Sequence, residues 1–232
     1  EPKEPAFGST RIHLKRLPVL LIHGIWGSGD LKKEDNTWAK FVSLLNKEGR
    51  YIIKSVDYSD EEGHNAASFD DPDIRKKLTE TIAEAFKEIR KQKIVVSRVD
   101  VVAHSMGGLV VRSFCQAAPD ACKAQIRKLI TIDTPHLGTP AANFLLQVAS
   151  GTPLNPPVPD NCRMVLDEMV KMGMFYDRGA VDSLQEQSKE LISLGGEPRE
   201  LLAHPVVGLT PNGQGGVDDG VRALWFGIRH LC

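Results

Sequence analysis

Apolar residues in this chain alternate between two kinds of spacing. Short runs dense in branched aliphatic residues recur at Leu17–Ile22, Val99–Ala103 and Lys128–Ile132, and a looser one runs from Tyr51 to Asp57. Runs of that length with little polar interruption predict strands buried on both faces. Between them the apolar residues fall at helical spacing. Thr37 to Lys47 predicts a helix with Trp38, Phe41, Val42 and Leu45 on one face and Gly49 as its stop. Pro72 opens a longer helix carrying Ile74, Leu78, Ile82, Phe86 and Ile89. Met106 to Ala118 predicts a third, with Leu109, Val110 and Phe114 apolar. Arg11 to Lys15 reads as a weaker first strand, and Asp57 to Asp71 as a polar loop containing His64. The strand–helix alternation predicts an α/β fold with a mostly parallel central sheet and helices on both faces.

The rhythm breaks after Ile132. Residues 141–200 hold helix-like segments and the proline-rich stretch Pro153 to Pro159, with no clear strand. We expect an insertion that caps the sheet's C-terminal edge. Four of the five methionines lie there (Met164, Met169, Met172 and Met174), and such adaptable side chains suit a surface that meets varied apolar groups. The plainer expectation is that these residues pack onto the body. His204 to Leu209 predicts the next strand, Gly213 to Gly216 a loop, and Leu224 to Ile228 a last strand. Residues 1–232 are therefore expected to form one domain, with the insertion at about 141–200.

Composition narrows the partners. Hydrophobic residues make up 41% and charged residues 25% of 232 residues, enough for a sizeable core. The net charge of -1 and the lack of a basic block argue against nucleic acid. No apolar run reaches the length of a transmembrane helix. Glu1-Pro2-Lys3-Glu4-Pro5 has no signal-peptide layout, which fits a mature start after cleavage or a cytosolic start. Four cysteines show no metal spacing. Cys115 and Cys122 flank a helix end and could close a short disulfide loop, leaving Cys162 and Cys232 as a second pair. Disulfides favour a secreted or periplasmic setting over a cytoplasmic one. No metal or cofactor is implied.

The candidate chemistry centres on Ala103-His104-Ser105-Met106-Gly107-Gly108, where a strand turns sharply into a helix. This is the layout of a nucleophile elbow, with small residues two before and two after the serine and Ala103 in place of the first glycine. The helix N-terminus behind Ser105 favours developing negative charge. Upstream, His23-Gly24-Ile25-Trp26-Gly27 follows a strand, and its glycines leave backbone amides free of secondary structure, as an oxyanion hole requires. A serine needs a base, and the base needs an acid, in the chain order Ser, acid, His. His230 combines order and position as the base. Asp219 is the first choice of acid, with Asp218 and Asp133 as alternatives. His23 and His104 belong to the strand-edge motifs, His136 to a Thr-Pro-His turn, and His204 to the wrong end of a strand.

Those pieces, in that order, together with Thr134-Pro135-His136-Leu137-Gly138-Thr139 and Asp219-Gly220-Val221, resemble the α/β-hydrolases. The likeness is to bacterial triacylglycerol lipases and esterases and the GPI-inositol-deacylase-like group. The resemblance implies Ser105 as nucleophile, Asp219 as acid, and the amides of Ile25 and Met106 as the oxyanion hole. It implies hydrolysis of carboxylic esters or lipids through an acyl-enzyme, without a cofactor. An acyl pocket is expected between Trp26, Met106 and the cap, with His104 beside it, and transient contact with lipid interfaces through the cap. Two departures stand out. Ala103 replaces the usual glycine, and the helix expected between the acid and the final strand is missing or much shortened, which bears on His230. An acyltransferase or amidase with the same triad, or a non-catalytic binding protein, are the rival readings.

Overall fold

The computed structural model describes residues 16–34, 36–47, 49–59, 67–151, 178–195 and 202–206. In chain order these form β1 (Val19–Ile22), α1 (Ala39–Leu45), β2 (Ile53–Val56), α2 (Pro72–Lys91), β3 (Val99–His104), α3 (Met106–Ala117) and α4 (Pro119–Gln125). They continue with β4 (Ile126–Ile132), α5 (Pro140–Ala149), α6 (Arg178–Ser183), α7 (Lys189–Leu194) and β5 (Leu202–Val206). The strands make one five-stranded sheet in the order β2-β1-β3-β4-β5, with every neighbouring pair parallel.

Alternation along the strands sorts the core into two layers, because successive side chains leave a strand on opposite faces. Leu20, Ile22, Val99, Val101 and Ala103 point to one face, where they meet Leu78, Ile82 and Phe86 of α2 and Leu109, Val110 and Phe114 of α3. Val19, Leu21 and Val102 point to the other, onto Trp38, with Phe41, Val42 and Leu45 of α1 around them. Both faces are therefore covered, which explains why the strands carry so little polar interruption.

The sequence pattern of α2 is realised in full. Asp71 caps it by accepting from the Asp73 amide at 2.7 Å, Pro72 occupies the first turn, and Arg90 and Lys91 close it where the helix dipole favours cations. Its apolar stripe, from Ile74 to Ile89, is buried. Other boundaries moved. The helix expected over Thr37–Lys47 shortens to Ala39–Leu45, and β4 starts at Ile126, two residues before the apolar run. The strand expected at His204–Leu209 is seen at Leu202–Val206, placing His204 in mid-strand with its side chain exposed.

Cys115 and Cys122 are bridged, tying the end of α3 to α4 across the break at Ala118. The other expected pair, Cys162 and Cys232, lies outside the described residues. In the segment expected to cap the sheet, Ala142 and Leu145 of α5, Ala180 and Val181 of α6, Leu184 just beyond it, and Leu191 and Leu194 of α7 are buried in the same core as α2 and α3. The described helices of this segment thus pack on the body. Residues 152–177, with the four methionines, lie outside the described residues, as do the expected strands at Arg11–Lys15 and Leu224–Ile228. No helix among the described residues is long and apolar enough to cross a membrane.

Candidate active site

Three strands end side by side at one sheet edge. Ile22 and Ala103 are register partners, as are His104 and Ile132, so His23, Ser105 and Asp133 follow from adjacent strand ends. At this edge the backbone leaves its ordinary regions. Ser105 sits at φ 52, Trp26 at φ 58 and Asp133 at φ 49, values that non-glycine residues adopt at a cost of about 1–3 kcal/mol each. Such strain persists only where surrounding contacts over-determine it, and here it clusters at the residues the sequence marks for chemistry.

The elbow is enforced by close packing. The Ser105 amide donates to the Ile132 carbonyl at 2.8 Å, carrying the β3–β4 ladder one residue past the strand. A Cβ at Gly107 would stand 2.6 Å from both the Ile22 and His23 carbonyl oxygens, so α3 can press against the end of β1 only with glycine there. A Cβ at Gly24 would meet Ser105 Cβ at 2.6 Å and its hydroxyl at 3.0 Å, which sets the loop after β1 directly against the serine. Ser105 itself stays half-buried. Met106 opens α3, so its amide is one of those the helix leaves without an internal partner. Its side chain has no exposed surface and belongs to the core, so Met106 offers the site its amide and not the side-chain wall expected of it.

Next to the elbow, the Gly27 amide reaches back to the Gly24 carbonyl at 3.3 Å, forming a turn with Ile25 and Trp26 at its centre. That bond uses neither the Ile25 nor the Trp26 amide. Trp26 is half-buried and packs against the main core. His23, at the base of the turn, is fully buried. Its Nδ1 lies 2.8 Å from the Gly24 carbonyl, and its Nε2 accepts from the Tyr58 amide at 3.2 Å and lies 3.3 Å from Asp57 Oδ1. With both nitrogens so engaged, His23 organises the loop and cannot serve as a base for Ser105.

His104 is half-buried beside the serine. Burial holds its imidazole below the usual value; the Asp133 charge pulls it back up, and His23 pushes it down. Asp57 departs further. Burial pulls its carboxyl up, but the adjoining His23 ring and hydrogen bonds from Ser59 and the Gly29 amide outweigh this and hold it well below the usual carboxylate range. Burial pushes the Tyr58 phenol far above its ordinary value.

Of the site residues expected from sequence, Ile25, Trp26, His104, Ser105, Met106 and Asp133 are brought together at this edge. Asp218, Asp219 and His230 lie outside the described residues, as does His64. Two features were missed. One is the Asp57–Tyr58 pair at the end of β2. The other is Arg112, an almost fully buried cation on the elbow helix. Its guanidinium donates to the His136 carbonyl at 3.1 Å and the Gly195 carbonyl at 2.7 Å, fastening α3 to the loop after β4 and to the end of α7. The only signal for Asp57 was its place at a strand's C-terminal end, on the edge where the other motifs gather.

Comparison with known proteins follows the same lines. Residues 12–156 match the family model described as "Putative serine esterase (DUF676)". A triacylglycerol lipase of Pseudarthrobacter phenanthrenivorans is 25% identical over 140 residues, which is 60% of this chain and 39% of that protein. A triacylglycerol lipase of Burkholderia plantarii is likewise 25% identical over 140 residues, 60% of this chain and 35% of that protein. The chain thus spans well under half the length of these curated relatives. The mature lipase BlEst2 of Bacillus licheniformis superposes with a TM-score of 0.53 at 19% identity, covering 96% of this chain and 76% of that one, a likeness of fold. The parallel sheet, the elbow at its C-terminal edge and the family match over more than half the sequence agree: the chain has the α/β-hydrolase fold and belongs to the DUF676 serine esterase family.

Proposed function

We propose that the protein hydrolyses carboxylic esters, lipids among them, through an acyl-enzyme on Ser105. The observation that carries this reading is Ser105 itself, half-buried at φ 52 between a strand end and a helix N-terminus, with Gly24 flush against its side chain. The Ser105 side chain does not cap α3, so its hydroxyl is not spent on the helix N-terminus it precedes, and the family match points to ester chemistry.

In this mechanism Ser105 attacks the ester carbonyl and the carbonyl oxygen becomes an oxyanion. The amides of Ile25 and Met106 receive that charge; one lies in a turn that does not use it, the other at the head of α3, where the helix dipole adds to the attraction. A histidine takes the serine proton and returns it to the leaving alcohol. Water then attacks the acyl-enzyme with the same histidine as base. We assign the base to His230 and the acid to Asp219, with Asp218 and Asp133 as the competing acids. Trp26 and His104 flank the position the acyl group would take. Contact of the 141–200 segment with a lipid surface is part of the same proposal.

Hydrolysis of p-nitrophenyl butyrate by the intact protein tests it. Ester turnover that disappears in Ser105→Ala supports the reading, and turnover retained in that variant rejects it. Within the same assay, a loss in His230→Ala together with Asp219→Asn supports the assigned pair. A loss confined to Asp133→Asn moves the acid to the end of β4.

A further inference from the structure

We infer that Asp57 is a positioning residue for the oxyanion loop, a clamp that fixes the far end of the loop carrying the Ile25 amide while its neighbour Tyr58 holds the near end. The inference rests on the proposed use of that amide. Its ground is one carboxylate oxygen. Asp57 Oδ1 accepts from the Gly29 amide at 3.1 Å, at the far end of the loop, and lies 3.3 Å from His23 Nε2, at the near end. The same oxygen accepts from the Ser59 amide at 3.2 Å and the Ser59 hydroxyl at 2.7 Å, which aim the carboxylate. An ionised oxygen suits several converging donors, because charge-assisted bonds are roughly twice as strong as neutral ones.

The loop needs such a hold. Its turn includes Trp26 at φ 58, and it lies tight against the end of β2: a Cβ at Gly29 would stand 2.8 Å from the Val56 carbonyl oxygen and 3.0 Å from Asp57 Cα. The apolar core reaches only part of it, since Ile25 and Trp26 are half-buried. Polar contacts from the β2 end do the rest. Tyr58 stacks on His23 with ring centroids 4.0 Å apart, its amide donates to His23 Nε2, and its hydroxyl donates to the His23 carbonyl. With Nδ1 turned to the Gly24 carbonyl and Nε2 taking the Tyr58 amide, the ring is held on both sides, and the turn above it stays in place.

An oxyanion donor acts in the transition state, so loosening the clamp lowers kcat and leaves KM alone. Steady-state kinetics on p-nitrophenyl butyrate and amide hydrogen exchange over residues 24–29 test this together. Asp57→Ala is expected to lower kcat roughly tenfold or more with KM changed less than about twofold, and to speed exchange in the loop by a similar factor. Asp57→Asn keeps an oxygen for Gly29 and Ser59 and is expected to recover most of kcat. If Asp57→Ala does not fold, Ser59→Ala removes the shortest of the bonds that aim the carboxylate while leaving the carboxylate in place, and a loss of roughly threefold in kcat at constant KM is expected. A folded Asp57→Ala, or Ser59→Ala in its place, with wild-type kcat and wild-type loop exchange overturns the inference. If the wild-type protein turns over no ester, the functional reading fails, and the exchange measurement still decides the clamp.

Discussion

The two halves of the site are held in place by different physics. The elbow is a matter of volume. Ser105 is forced to φ 52 because α3 lies so close to β1 that Gly107 has backbone oxygens where a side chain would be, and the surrounding residues from Met106 to Cys115 are buried. The facing loop is a matter of charge and hydrogen bonding. Its ends are fastened by the Asp57 carboxylate, on the Gly29 amide, and by Tyr58, on the His23 ring and carbonyl, both reaching across from the end of β2. A steric device is fixed whenever the protein is folded. A polar one can be removed with the fold intact, so the two halves should respond differently to mutation and to pH.

The largest expected effect concerns chemistry alone. Ser105→Ala should cost on the order of 10³-fold or more in ester turnover while changing stability by less than about 0.5 kcal/mol, as judged by p-nitrophenyl butyrate assays and urea denaturation of the same preparation. The steric half is tested by Gly107→Ala. The new methyl meets the Ile22 and His23 carbonyl oxygens, so a loss of about 2–3 kcal/mol is expected by urea denaturation. Loss of stability below about 0.5 kcal/mol would mean that the contact between α3 and β1 is looser than the geometry requires.

The disulfide offers a control on the elbow helix remote from the serine. Cys115 and Cys122 are seven residues apart, and closing so short a loop is worth about 2 kcal/mol by chain entropy. Replacing both by alanine should lower stability by about that much and leave the kcat of the folded protein unchanged. A fall in kcat there would show that the far end of α3 also holds the elbow.

The smallest effect is the most diagnostic of the polar half. The Asp57 carboxyl is held below its unfolded value of about 3.9. A depressed pKa contributes stability that is present above the unfolded value and lost as pH falls toward the folded one. The stability difference between wild type and Asp57→Asn should therefore be greatest at neutral pH and shrink below about pH 4, followed by urea denaturation from pH 7 to pH 3. Because the carboxylate is one-third exposed, solvent screens it and the difference stays small. A difference that grows on acidification would contradict the assignment.

The same contrast decides what the sequence reveals. The elbow is legible because its requirements are local. Two small residues flank Ser105, a valine-rich strand precedes it, and a helix follows, all within sixteen residues, Val99 to Phe114. The sheet is legible for a similar reason, since strands buried on both faces must be apolar throughout. Beyond its place at a strand end, the role of Asp57 was hidden because the loop residues it meets, Gly29 and His23, are 28 and 34 residues away, and nothing in a polar residue's neighbours says which backbone amide it will meet. Arg112 was invisible in the same way. Arginine in an apolar helix suggests a solvent-facing position, yet this one is covered because two carbonyls, one of them 83 residues on, supply its hydrogen bonds. Element ends drifted by a few residues where apolar runs stop short of the ladder, as at Ile126 and Leu202.

Whether Ser105 is the nucleophile is decided by active-site labelling. The intact protein is treated with a fluorophosphonate, digested and mapped by mass spectrometry. A single stoichiometric adduct on Ser105 is expected, blocked by prior incubation with a slowly hydrolysed ester and absent from Ser105→Ala. No adduct, or one on another residue that survives in Ser105→Ala, would rule Ser105 out as the nucleophile.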